Sequence, residues 1–153
     1  MRTIGLLGST GSIGKNALIV AEQHPELFSV AYLTANTNVD TLIGQALRYR
    51  PHTVIIGEEE RYHDLCNGLK GTGIACAAGY RAIEQLAGDG EADIVLNAIV
   101  GAAGMRPTVA AVKKGRDVAL SNKESLVMAG ALINHICEKT GARIFPVDSE
   151  HSA

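Results

Sequence analysis

Gly8-Ser9-Thr10-Gly11-Ser12-Ile13-Gly14 is the stretch on which the reading of the whole chain turns. It follows a short apolar run, Ile4 to Leu7, that reads as a buried strand. It precedes Lys15 to His24, which reads as a helix with Ile13, Ala17, Leu18, Val20 and Ala21 as its apolar positions. A glycine-rich turn between a strand and a helix is a phosphate-binding hypothesis. The first turn of a helix carries backbone N–H groups without intrahelical acceptors, and the helix dipole is positive there. Glycine lets the backbone turn sharply and approach an anion with no Cβ in the way. Gly8 and Gly11 supply that freedom, and Thr10 and Ser12 add hydroxyl donors. The bland alternative is a plain tight turn.

The spacing is G-x-x-G-x-x-G rather than the commoner G-x-G-x-x-G, and it is compatible with the first βα turn of a Rossmann domain. Working outward, strand and helix patterns alternate along the whole chain. Strands are expected at Phe28 to Leu33, Thr53 to Ile56, Ile74 to Ala77, Ile94 to Val100, Asp117 to Leu120 and Arg143 to Phe145. Helices are expected at Val39 to Tyr49, Glu58 to Leu69, Tyr80 to Leu86, Met105 to Lys114 and Leu126 to Glu138. The expected fold is α/β: a Rossmann-like doubly wound, mostly parallel sheet with helices on both faces.

A length of 153 residues fits one domain with a sizeable core, and 46% hydrophobic content fits good packing. The net charge of −2 offers no electrostatic case for nucleic acid or an anionic membrane. No apolar run approaches a bilayer span, and no signal peptide is visible, so a cytoplasmic location is expected. Cys66, Cys76 and Cys137 are scattered and read as reduced, buried thiols. His52 and His63 sit in polar stretches and read as surface residues.

Three further stretches point to chemistry. The end of the second strand, Thr34-Ala35-Asn36-Thr37-Asn38, carries no acid. An acid there would take the ribose hydroxyls of NAD and repel a 2′-phosphate, so the stretch favours NADP. Asn36 and Asn38 also read as turn and N-cap residues for the next helix. Ser121-Asn122-Lys123-Glu124-Ser125 places polar and charged groups between a buried strand and an apolar helix, where open α/β sheets bind ligands. In an extended Pro146-Val147-Asp148-Ser149-Glu150-His151, Asp148 and Glu150 point to one side, a pair of oxygen donors suited to Mg²⁺ or Mn²⁺. The bland reading of that run is a solvated acidic tail.

Gly8 to Gly14, Ala98-Ile99-Val100-Gly101-Ala102-Ala103-Gly104, Asn122-Lys123-Glu124-Ser125-Leu126 and Pro146 to His151 together resemble the N-terminal part of the 1-deoxy-D-xylulose 5-phosphate reductoisomerases. That resemblance implies an NADPH-dependent oxidoreductase of non-mevalonate isoprenoid biosynthesis. Such an enzyme rearranges the carbon skeleton of a ketose phosphate and reduces the resulting aldehyde, giving 2-C-methyl-D-erythritol 4-phosphate. It implies NADPH and a divalent metal as cofactors, a sugar phosphate as partner and a homodimeric parent enzyme. Thr10, Gly11, Ser12 and Ile13 would hold the pyrophosphate, with Asn36 and Asn38 beside the adenosine ribose phosphate. Asn122 and Glu124 would face the nicotinamide half. Lys123, Ser149 and Glu150 would serve the substrate and catalysis, with Asp148 and Glu150 on the metal. Many members carry Gly-Lys-Asn where this chain has Asn36-Thr37-Asn38, which weakens the expected grip on a 2′-phosphate.

The resemblance divides the chain into an NADPH-binding domain at 1–146 and the start of a catalytic, metal-binding region at 147–153. The remaining residues of such an enzyme would lie beyond Ala153, so the chain by itself is expected to be inactive. Two other readings are an oxidoreductase of the aspartate-semialdehyde dehydrogenase type and a non-enzymatic NADP-binding module. The first needs a nucleophilic cysteine on a strand-end loop, where this chain has Cys137 in a helix. The second leaves Asp148 and Glu150 without a role.

Overall fold

Runs such as Val54-Ile55-Ile56, in which every side chain is buried, are what a strand covered on both faces requires. The computed structural model, which describes residues 1–121 and 123–147, shows that arrangement. In chain order it contains β1 (Arg2–Leu7), α1 (Ser12–Gln23), β2 (Phe28–Ala35), α2 (Val39–Tyr49) and β3 (Thr53–Ile56). A 3₁₀ turn (Glu59–Arg61) leads into α3 (Tyr62–Gly68), followed by β4 (Ala75–Ala78), α4 (Tyr80–Asp89) and β5 (Ile94–Asn97). A second 3₁₀ turn (Gly101–Gly104) precedes α5 (Met105–Lys113), β6 (Asp117–Leu120), α6 (Lys123–Thr140) and β7 (Ile144–Pro146).

The seven strands form one sheet in the order β4-β3-β2-β1-β5-β6-β7, and every pairing is parallel. The chain winds outward from β1 to β4, returns through α4, and lays β5 against the free side of β1. The direction of winding therefore reverses between β1 and β5. Neighbouring residues on a strand serve opposite cores. Leu6, Leu33, Val54 and Ile56 meet Leu18 of α1, Leu42 and Ala46 of α2 and Leu65 of α3. Leu7, Ile55, Val95 and Val118 meet Ile83 of α4, Val112 of α5 and Ile133 of α6. Among the described residues no helix is long and apolar enough to cross a membrane.

Several boundaries differ from the expectation, each for a local reason. α1 begins at Ser12, which brings Ser12 and Ile13 into its first turn, and Val20 faces solvent. The Ile94 to Val100 run leaves the sheet after Asn97, whose buried side chain redirects the backbone, and Val100 is 90% exposed. The polar Glu58 to Leu69 stretch is a 3₁₀ turn and a short helix, anchored by buried Leu65 and Leu69. α6 starts at Lys123 and departs from helical geometry at Ala129 (φ −136°, ψ 21°). The three cysteines are free thiols but only half-buried, and His52 and His63 are exposed.

Two glycines of helical segments should respond oppositely to alanine. A Cβ at Gly14 would sit 2.5 Å from the Gly8 carbonyl oxygen and 2.6 Å from Ser9 Cα, both backbone atoms that cannot swing away. A Cβ at Gly44, within α2, would meet nothing within 4 Å. In urea denaturation Gly14→Ala should lose about 1–3 kcal/mol, whereas Gly44→Ala should gain about 0.5–1 kcal/mol.

Candidate functional site

The turn from β1 into α1 is fixed by hydrogen bonds to its neighbours. Thr34, buried at the end of β2, accepts the N–H of Gly8 on its carbonyl (3.0 Å) and on Oγ1 (3.2 Å), and that of Ser9 on its carbonyl (2.8 Å). Gly8 then turns at φ +79°, and a Cβ there would lie 2.9 Å from the Ala98 carbonyl oxygen. Only glycine meets both conditions comfortably. Ser9 is fully buried. Its hydroxyl donates to Gln45 Oε1 (2.7 Å), and Gln45 Nε2 donates back to the Ser9 carbonyl (2.9 Å), which ties the turn to α2.

This clamp aims the start of α1 outward. The first helical bond runs from the Lys15 N–H to the Gly11 carbonyl (2.9 Å). The N–H groups of Ser12, Ile13 and Gly14 therefore have no acceptor within the helix. No side chain caps this end, and no acidic residue lies in the first turn. Its partial positive charge is left to act on whatever approaches.

The three glycines divide by role. Gly8 and Gly14 are demanded by the turn itself. Gly11 has an ordinary φ of −79°, and the nearest atom to a Cβ placed on it is the Gly8 carbonyl oxygen at 3.8 Å. The fold would accept a side chain at this position.

Above the turn lies a cavity of about 690 Å³, at the point where the winding of the sheet reverses. Gly8, Thr10 and Gly11 form its floor beside the ends of β2 and β5, and the first turns of α4 and α5 wall it. Its far side is the segment 98–104, which a buried polar network shapes. Asn97 Nδ2 donates to the Gly104 carbonyl (2.9 Å) and to Thr108 Oγ1 (2.7 Å), and Asn97 Oδ1 accepts the Ile99 N–H (3.1 Å). Ser121, after β6, donates through its hydroxyl to the Asn97 carbonyl (3.0 Å).

Of the residues singled out in the sequence, Gly8, Thr10, Gly11 and Asn36 line this cavity, and Ser12 and Ile13 lie in the adjoining helical turn. Asn38 caps α2, its Oδ1 accepting the Thr41 N–H (3.2 Å), and is not among the lining residues. Lys123 and Glu124 are exposed in the first turn of α6 and are not among the lining residues. Asn122, Asp148, Ser149 and Glu150 lie outside the described residues. Among the described residues no three His, Cys, Asp or Glu side chains converge as a metal site.

Sequence reading missed Tyr80, Arg106 and Gln45. Tyr80 and Arg106 line the cavity, and Arg106 is the one cationic side chain among its described lining residues. Each stands in the first turn of a helix that follows a glycine, Gly79 at the end of β4 and Gly104 at the end of the second 3₁₀ turn. Gln45 reaches the turn only through the pairing of α2 with the β1–α1 connection, which no local pattern announces.

A second concavity, of about 660 Å³, lies at the opposite, N-terminal end of the strands among Thr3, Arg48, Tyr49, Arg50, Asp93 and Arg116. The C-terminal ends of α1 and α2 meet there, so carbonyl groups face it rather than N–H groups. Arg48 is already engaged by Glu22 at 2.7 Å.

An all-parallel doubly wound sheet, with a glycine turn under a cavity at its reversal point, defines the class: a Rossmann-like α/β domain. The family model for 1-deoxy-D-xylulose 5-phosphate reductoisomerase matches residues 4–130, and the chain belongs to that family. It is 49% identical over 152 residues to the reductoisomerase of Bacteroides fragilis, covering 99% of this chain and 39% of that protein. The chain thus spans about two-fifths of the length of the relatives it matches. Among solved structures it superposes on the Zymomonas mobilis enzyme in complex with NADPH with a TM-score of 0.93. The two are 43% identical, over 99% of this chain and 40% of that one. A reductoisomerase in complex with NADPH, fosmidomycin and magnesium also gives 0.93, at 37% identity over 100% of this chain and 38% of that one.

The clamp on the turn has a measurable cost of removal. Gln45→Leu leaves the buried Ser9 hydroxyl and carbonyl without their partner, and urea denaturation should show a loss of about 1–3 kcal/mol.

Proposed function

We propose that this chain is the NADPH-binding part of a 1-deoxy-D-xylulose 5-phosphate reductoisomerase. Residues 1–146 make up that domain, and 147–153 begin the metal-binding region. The observation that carries the proposal is Gly11. Its side chain is missing where the fold has room for one, and it stands at the mouth of an uncapped helix N-terminus. A pyrophosphate approaching the Ser12, Ile13 and Gly14 N–H groups needs that space. The residues present therefore fit a dinucleotide: a cradle, a positive helix end and a cavity of suitable size.

In this reading Gly8, Thr10, Gly11, Ser12 and Ile13 hold the pyrophosphate. Asn36 and Asn38 stand at the adenosine end, where the stretch that ends β2, 34–38, has no acidic residue of its own to oppose a 2′-phosphate. Ala98 to Gly104, held by Asn97, bounds the nicotinamide side together with Asn122 and Glu124. Lys123 and Ser149 meet the sugar phosphate, and Asp148 and Glu150 offer oxygen donors to Mg²⁺ or Mn²⁺. When bound, the nicotinamide supplies hydride and the metal polarises a carbonyl. This chain's share is to orient both against the substrate.

The test is titration of the 153-residue chain with NADPH and NADH, followed by nucleotide fluorescence or calorimetry. NADPH should bind more tightly, and tighter binding of NADH would contradict the 2′-phosphate reading. Gly11→Val should weaken NADPH binding at least about tenfold with its thermal midpoint held near that of the parent. Unchanged binding would reduce the loop to a turn. With 1-deoxy-D-xylulose 5-phosphate and Mn²⁺ or Mg²⁺, the full-length gene product should oxidise NADPH and the 153-residue chain should not.

A further inference from the structure

The adenosine end of the cavity poses a specific problem, because the stretch that ends β2, Thr34-Ala35-Asn36-Thr37-Asn38, carries no lysine or arginine to meet a 2′-phosphate. Three other donors to an anion deserve comparison. The N-terminus of α4 is one, but a Cβ on Gly79, its cap, would lie 3.0 Å from Glu59 Oε1, so a carboxylate already sits against that helix end. Asn38 is the second, and its Oδ1 is engaged in capping α2 outside the cavity.

Asn36 is the third. It lines the cavity, and the Tyr80 hydroxyl donates a hydrogen bond to its Oδ1. Tyr80 reaches it from the first turn of α4, its ring lying against Gly57, where a Cβ would come within 3.0 Å of both Tyr80 Cε1 and Asn36 Oδ1. An amide has one acceptor end and one donor end. With its oxygen turned to the tyrosine, its NH₂ is the end left to the cavity.

We infer that Tyr80 is a positioning residue for the choice between NADP and NAD: its hydroxyl holds the Asn36 amide with the NH₂ toward the adenosine 2′ position. This inference rests on the dinucleotide reading of the cavity. An NH₂ donates well to a phosphate, and hydrogen bonds to charged groups are the stronger ones. Without the hydroxyl, the amide is free to turn its oxygen outward, where it would accept from a ribose hydroxyl and repel a phosphate.

The experiment compares NADPH and NADH affinities for the parent chain, Tyr80→Phe and Asn36→Asp by calorimetry, with thermal midpoints as the fold control. Tyr80→Phe should weaken NADPH binding about tenfold and change NADH binding less than about twofold. Asn36→Asp should reverse the preference toward NADH, since a carboxylate accepts from the ribose hydroxyl and repels the phosphate. An NADPH/NADH ratio that stays at the parental value in either variant overturns the inference, even if both affinities fall together. Failure of the parent chain to bind NADPH at all is the separate result that removes the dinucleotide reading, and the inference with it.

Discussion

The structure depends on the row of hydrogen bonds that binds the end of β1 to both of its neighbours. Leu7 stands opposite Thr34 of β2 on one side and Asn97 of β5 on the other. Just beyond it, Thr34 takes the Gly8 and Ser9 N–H groups, and Leu7 itself takes the Ala98 N–H at 2.9 Å. Both flanking residues are polar, fully buried and hydrogen-bonded, in a row otherwise made of aliphatic side chains. A buried polar group left without partners is costly, so each of these side chains dictates where the chain next to it goes. Thr34 sets the path of the glycine turn. Asn97 folds the segment after β5 away from the sheet. The cavity is the gap between those two enforced departures.

Winding reversal and helix polarity act on the same place. Because β1 and β5 are adjacent in the sheet and far apart in the chain, their following segments diverge and leave a crevice. Because every strand is parallel, the helices that follow begin on that side of the sheet, and α1 brings its uncapped N–H groups to the crevice floor. At the other end of the strands the same helices end, with carbonyl groups outward. One end of the domain is thereby prepared for an anion and the other is not, without any large net charge.

Much of this was legible in the sequence, and the failures have physical causes. α2 and the strands β3 and β6 fall where periodicity and turn residues put them, because each is bounded by its own caps or breaks. The start of α1 was placed too late because serine and glycine are weak helix formers whose position here is settled by the Thr34 and Gln45 contacts. The end of β5 was placed too late because Ala98-Ile99-Val100 is as apolar as a strand. Only the Asn97 side chain, bonded to Gly104 and Thr108, shows that the run has left the sheet. The glycine turn reads as a candidate phosphate loop, but only the atoms packed around Gly8 and Gly14 show which glycine answers to the fold and which is spare. Tyr80 and Gln45 went unnoticed because their partners, Asn36 and Ser9, lie far off in the chain.

The central claim is that the first turn of α1 is the anion-binding end of this domain. Amide chemical shifts of the ¹⁵N-labelled chain, followed as NADPH is added, test it most directly. The account predicts that the largest changes fall on Gly11, Ser12, Ile13 and the segment 98–104. Changes centred instead on Arg48, Arg50 and Arg116, at the opposite end of the strands, would contradict it.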